Sequence, residues 1–257
     1  MITNTKAFEV LKGQIQSTLD FSVLCCQAVP ALNAYMKAVD NGAAKKLPDA
    51  DHFQKGEPNF EQLKAYIPDY RKNLGKLLFI NTFSYFEAYF KSLIKEVLDF
   101  HGEQDNFVNI SLEKQSQHME YAKDQDVRKS ANKLREYKKK TEKLKYSKHI
   151  KQLEHTDFRF PSELFATFGI MELGNNYRKL KASQIPHVAQ WCFGVSLTEE
   201  EIETFSDLRE LRNDVAHGVV TQLDFNRANQ ANRFLRQLAI KIDKHVVEHF
   251  LLIEDHS

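Results

Sequence analysis

Residues 79–97 read FINTFSYFEAYFKSLIKEV, and the placement of the apolar side chains in this stretch decides the fold. Phe79, Phe83, Phe86, Phe90, Leu93 and Val97 recur at steps of three and four, the spacing that collects side chains on one face of an α-helix. The stripe predicts a helix over about residues 60–100 with this face in the core. Glu87 lies about 40° round the helix from the stripe. It reads as a boundary residue reaching solvent; were it buried it would need a partner, for which Arg209 and Arg212 are candidates.

The same periodicity extends outward in both directions. Phe8, Leu11, Ile15, Leu19, Val23 and Cys26 predict a helix over about 6–41 that Pro30 kinks or breaks. AAKKLPDADHFQKGEPN, residues 43–59, reads as a loop. FPSELFATFGIMEL (160–173) and LKASQIPHVAQWCFG (180–194) read as short helical segments, with Trp191 a core candidate. TEEE, residues 198–201, is a capping box, in which a Thr hydroxyl and the Glu three residues on each satisfy the other's backbone amide. It opens a helix that ends at Val215-Ala216-His217-Gly218. Ala228, Ala231, Leu235, Leu238, Ile242, Val246, His249 and Ile253 mark a last helix over about 224–254.

Only 9 Gly and 6 Pro in 257 residues leave few turn positions for a many-stranded sheet, so the fold class is all-α. With neither an internal repeat nor a Gly/Ser-rich linker, residues 1–257 read as a single helical bundle domain. The N-terminal stretch has no basic segment followed by an apolar one, and no uncharged apolar run reaches the roughly 18 residues of a membrane span. A cytoplasmic protein with no membrane association is the expectation. Cys25, Cys26 and Cys192 form neither a CxxC pair nor a disulfide framework and read as small core residues.

A net charge of +1 hides an asymmetry. Between Lys123 and Lys151 stand 12 Lys/Arg and four acids, a local +8 that leaves −7 on the rest of the chain. This run lies inside a polar region at about 101–160, which reads as a basic helical insertion between core helices. Such a run can be a solvated face. Against that, the acids that i, i+4 pairing would require are mostly absent, and Tyr137 and Tyr146 are interleaved where they could stack on bases. Arg135, Tyr137, Lys138, Lys139, Lys140 and Lys143 are the candidate nucleic-acid contacts.

HVVEH, residues 245–249, has the spacing of an inverted zinc-peptidase motif, but the chain lacks room for the further carboxylate ligand downstream. Two ordinary helix histidines are the better account, and no metal or cofactor is expected. ELRNDVAHG, residues 210–218, is more informative. Arg209, Asn213, Ala216 and His217 fall within about 100° on a helical wheel. Arg212 is about 140° from His217 but long enough to curl toward that edge. Gly218 can take the left-handed conformation that ends a helix and would hold His217 at the terminus. By spacing alone this is a C-terminal cap with basic residues favoured by the helix dipole.

Arg212-Asn213-Asp214-Val215-Ala216-His217 also resembles the R-x4-H signature of the HEPN superfamily, on the penultimate long helix of an all-α bundle. NTFSYFEAYFKSLIKEV, residues 81–97, resembles the RiboL-PSP branch, and the likeness extends over about 60–100 and 160–250. The resemblance implies a metal-independent endoribonuclease of a bacterial defence or toxin–antitoxin type, acting on RNA as a homodimer, with an antitoxin or defence ATPase as a possible partner. It implies that Arg212 stabilises the scissile phosphate, that His217 handles a proton, and that Asn213 orients one of them. Those residue types suit the task, because a guanidinium meets phosphate oxygens in bidentate fashion and an imidazole titrates near neutrality. In HEPN toxins silenced by nucleotidyl transfer a Tyr stands two residues after the His; here that position is Val219, which puts such regulation in doubt. The alternative is a non-catalytic HEPN-fold module that binds or scaffolds a partner protein, a nucleotide or a nucleic acid.

Overall fold

The computed structural model describes residues 3–45, 47, 60–100, 179–191, 193–219 and 223–251, and these are helical with no strand among them. The order is α1 (Lys6–Asp40), α2 (Phe60–Tyr66), a 3-10 turn at Ile67–Asp69, α3 (Tyr70–Phe100), a 3-10 turn at Ala182–Gln184, α4 (Ile185–Trp191), α5 (Glu199–Ala216) and α6 (Phe225–Phe250). The all-α expectation holds. The basic insertion lies outside the described residues, with Arg135, Tyr137, Lys138, Lys139, Lys140, Lys143 and Tyr146. So do residues 160–173, Cys192, Ile253 and the side chain of Trp191.

The chain divides into two compact units, and α1, α3, α5 and α6 each contribute residues to both. The first comprises Met1–Lys12, Tyr85–Glu210 and Leu235–Ser257. Its core is aromatic: Phe86 packs on Phe205 at 5.7 Å between ring centroids, and Phe193 stands edge-on to Phe90 at 6.2 Å and to Phe250 at 5.0 Å. Tilted and edge-on rings such as these add to the burial of their area. Leu235, Leu238, Ile242 and Val246 of α6 complete the core, as their spacing predicts.

The start of α1 is tied into this unit by carboxylates. The first amides of a helix have no partner within it. Here Lys6 and Ala7 donate theirs to Glu96 of α3, and Phe8 donates to the hydroxyl of Thr5. That hydroxyl donates in turn to Asp243 of α6, which also accepts the Thr5 amide. Asp243 is 1% exposed, and burial pushes its carboxyl above the usual value despite the two Thr5 hydrogen bonds, with Glu96 and Glu9 adding to the rise. Tyr89, beside it, donates to the carbonyl of Ala239.

The second unit comprises Gly13–Ser84 and Leu211–Phe234. Leu74, Leu78, Phe79 and Phe83 of α3 are buried with Leu211 and Val215 of α5 and Ala228 and Ala231 of α6. The chain entering α6 lies against α3 at Gly75, where an added Cβ would come within 2.7 Å of the Leu223 carbonyl oxygen.

Three expectations about α1 need correction. Pro30 does not break it; the helix runs on to Asp40, and Pro30 is exposed, so the hydrogen bond it cannot donate is lost where water can reach. Val23 is not core but 58% exposed, while Ser22 is buried. Cys25 and Cys26 are half-exposed rather than core, and the Cys25 thiol is raised by its partial burial and by Cys26.

Candidate active site

The helix carrying the Arg and His is defined at both ends by local chemistry. At its start Thr198 and Glu201 form the expected capping box: the Thr198 amide donates to the Glu201 carboxylate at 2.8 Å, and the Glu201 amide to the Thr198 hydroxyl at 3.1 Å. Lys241 of α6 bonds both oxygens of the same carboxylate at 2.7 and 2.9 Å. Partial burial would raise Glu201, but Lys241 and Thr198 outweigh it and hold the carboxyl below its usual range.

At the far end Gly218 has φ +75°, the left-handed value the sequence predicts. The Val219 amide donates to Asp214 and the Gly218 amide to Val215, the paired bonds of a Schellman motif. Together they stop α5 at Ala216 and place His217 at the cap, exposed. The His217 amide donates to the Asn213 carbonyl at 2.8 Å, so the backbone is helical up to the residue that bears the imidazole.

Arg212 leaves the same helix one turn earlier and is held from two directions. Its guanidinium carbon stands 5.2 Å from the centroid of the Phe83 ring, within reach of a cation–π contact. Its Nη1 donates to the Asn213 side-chain oxygen at 2.9 Å. Asn213 therefore touches both partners, Arg212 through its side chain and His217 through its backbone. With its oxygen engaged by Arg212, the Asn213 amide group has its N–H donors left for another acceptor. All four residues, Phe83 included, belong to the second unit.

Phe83 is the contributor that sequence reasoning did not assign to the site. In the stripe of residues 79–97 it is one apolar position among six, and nothing in the spacing separates it from Phe79 or Phe86. Of the nearby acids, Glu210 pairs with Arg209 at 3.1 Å and Asp214 is exposed. Glu87 is half-buried. In the first unit, a pocket of about 220 Å3 is lined by residues that include His187, Gln190, Ser206 and Arg209. Sequence reading gave Arg209 a place on a polar edge and a candidacy as partner of Glu87, not a place in a pocket.

At the HVVEH stretch, a ring nitrogen of His245 lies 2.6 Å from the carbonyl oxygen of Phe193, and the His245 and His249 rings lie 4.4 Å apart. A carbonyl can only accept, so that nitrogen carries the proton and is occupied by the main chain.

No curated protein and no solved structure shows significant similarity to the chain. A family model does: that of RiboL-PSP-HEPN matches residues 51–248. The chain belongs to the RiboL-PSP-HEPN family, a branch of the HEPN superfamily, whose membership points to a nuclease or otherwise RNA-related function.

Proposed function

We propose that this RiboL-PSP-HEPN protein is a metal-independent endoribonuclease of a bacterial defence or toxin–antitoxin system, cutting RNA at Arg212 and His217. The observation that carries the reading is the pairing of a guanidinium held against Phe83 and Asn213 with an exposed imidazole at the end of the same helix. The RNA 2′-hydroxyl attacks the adjacent phosphorus and the bond to the 5′-oxygen breaks, leaving a 2′,3′-cyclic phosphate and a 5′-hydroxyl. Arg212 offsets the extra negative charge of the phosphorane. His217 takes the 2′-hydroxyl proton or supplies one to the leaving oxygen, work open to an imidazole, whose ring nitrogens can accept or donate a proton. Asn213 fixes the guanidinium.

The 140° offset between positions 212 and 217 makes convergence of one Arg and one His awkward, so the active form is a two-fold dimer in which the two α5 ends face one cleft. The basic run, with Arg135, Tyr137, Lys138, Lys139, Lys140 and Lys143, supplies salt-dependent affinity for the RNA backbone without choosing the cut.

The test is incubation of the purified chain with end-labelled RNA in EDTA, followed by end-group analysis. Cyclic phosphate ends, no cutting of an all-deoxy substrate, and loss of cleavage in Arg212→Ala and His217→Ala with RNA binding retained are expected. Metal-dependent cutting or 5′-phosphate ends refute the mechanism. Absence of cleavage on varied RNAs favours the binding or scaffolding module instead.

A further inference from the structure

Helix α1 carries a second apolar face that nothing described in the structure covers. Its inward face is already used, with Ile15, Ser22 and Met36 buried. On the other side Ser17, Phe21, Leu24, Ala28, Ala31 and Tyr35 are all exposed, Phe21 by 56%, Leu24 by 59% and Tyr35 by 41%. These six recur at steps of 4, 3, 4, 3 and 4, the a and d positions of a heptad, and lie within an arc of about 80°. An exposed helix face is normally charged. Between Ser17 and Tyr35 the one charged residue is Asp20, which lies off the seam.

The order of sizes along the seam says what fits it. About a point at residue 26 the sequence is complementary to its own reversal: Leu24 stands opposite Ala28, Phe21 opposite Ala31, and Tyr35 opposite Ser17. A two-fold axis through that point sets every bulky side chain of one helix against a small one of the other, an a-to-d pairing that lets the layers interdigitate. Such a contact is isologous, as a two-fold requires. An anionic lipid surface is a poorer match, because an interfacial helix borders its apolar face with Lys and Arg. The borders here are Gln14, Leu32 and Cys25 on one side and Asp20, Gln27 and Ala34 on the other, with neither Lys nor Arg among them.

We infer that the α1 seam docks antiparallel on the α1 seam of a second copy of this chain, centred on residue 26. The contact is independent of the ribonuclease reading and uses a different helix from the one carrying Arg212 and His217. The seam runs for about 27 Å and is about 10 Å wide, a flat footprint of roughly 300 Å2. That is well under the ~800 Å2 per partner of a standard interface, so the association is weak by itself.

The test is pairwise cross-linking in full-length chains bearing Cys25→Ser, Cys26→Ser and Cys192→Ser. Chains with Phe21→Cys and chains with Ala31→Cys, differently tagged and mixed under mild oxidation, should give a disulfide heterodimer. Either variant alone should give at least tenfold less. In sedimentation up to hundreds of micromolar, Leu24→Glu should remove one doubling of mass seen in the parent chain, with its helical circular dichroism unchanged. Self-cross-linking of Phe21→Cys would show a parallel pairing and overturn the inference. So would equal masses for parent and Leu24→Glu together with no cross-link, the result expected if another part of the same chain or a different protein covers the seam. A cleavage assay on the same samples reports separately on Arg212 and His217.

Discussion

If Asn213 acts only by holding the Arg212 guanidinium, Asn213→Ala has a calculable effect. The bond at stake is one N–H from a charged group to an amide oxygen, 2.9 Å long and half-buried. Hydrogen bonds to charged groups contribute about 1.5–3 kcal/mol, and partial exposure lowers this to about 1–2 kcal/mol. At about 1.4 kcal/mol per decade, the single-turnover cleavage rate should fall roughly 5- to 30-fold. The Phe83 contact persists in the variant, so Arg212 loses direction without leaving the site. Arg212→Ala removes the stabilising charge itself and should cost about 10²–10³-fold. In the double variant Asn213 has nothing left to orient, so its rate should match that of Arg212→Ala, the non-additivity expected of residues in contact. The assay is a rapid-quench time course with protein in excess over a short labelled RNA, which separates cleavage from binding. A double variant slower than Arg212→Ala by the full Asn213 factor would refute the orienting role and mean that Asn213 meets the RNA directly. An unchanged rate in Asn213→Ala would mean that the Asn213 bond does not orient the guanidinium.

Two further outcomes concern stability. Gly75→Val forces side-chain atoms toward the Leu223 carbonyl, where even a Cβ would stand at 2.7 Å, and overpacking of this kind costs about 1–3 kcal/mol; differential scanning calorimetry should show a Tm lower by about 2–10 °C, and an unchanged Tm would mean that the chain entering α6 yields freely. Asp243 has a folded-state carboxyl raised above its unfolded value, so its contribution is fully present below the unfolded pKa and is lost as pH rises through the folded one. Urea unfolding between pH 4 and 7 should therefore show the stability of Asp243→Asn rising relative to the parent chain as pH increases, and a variant that loses ground to the parent as pH rises would contradict the sign.

The aromatic stripe of residues 79–97 was legible in full, because Phe79, Phe83, Phe86, Phe90, Leu93 and Val97 are each at most 1% exposed. So were the two ends of α5, where a Thr/Glu box at the start and a glycine at the left-handed position after the last turn have one local solution each. The phase of α1 was not. Apolar residues lie on several of its sides, so periodicity alone could not tell which face turns inward. Ser22 settles inside because its hydroxyl bonds the Thr18 carbonyl at 2.8 Å, which removes the cost of burying it and is invisible to a hydrophobicity pattern. Long-range pairs were equally hidden. Thr5 meets Asp243 across 238 residues, and Phe83 meets Arg212 only after α3 and α5 have packed. In each case the sequence names the residue but not its partner.

The first turn of α1 has a consequence for how the protein comes apart. A helix beginning normally frays, since its leading amides lose nothing by turning to water. Here the amides of Lys6, Ala7 and Phe8 are held by Glu96 and Thr5, and Thr5 by a buried Asp243. Peeling this turn away exposes carboxylates on α3 and α6 at the same time, so it cannot open as a small independent event. In hydrogen-exchange terms these leading amides belong to the slow cooperative class that reports opening of the first unit's core, rather than to the fast class of chain ends.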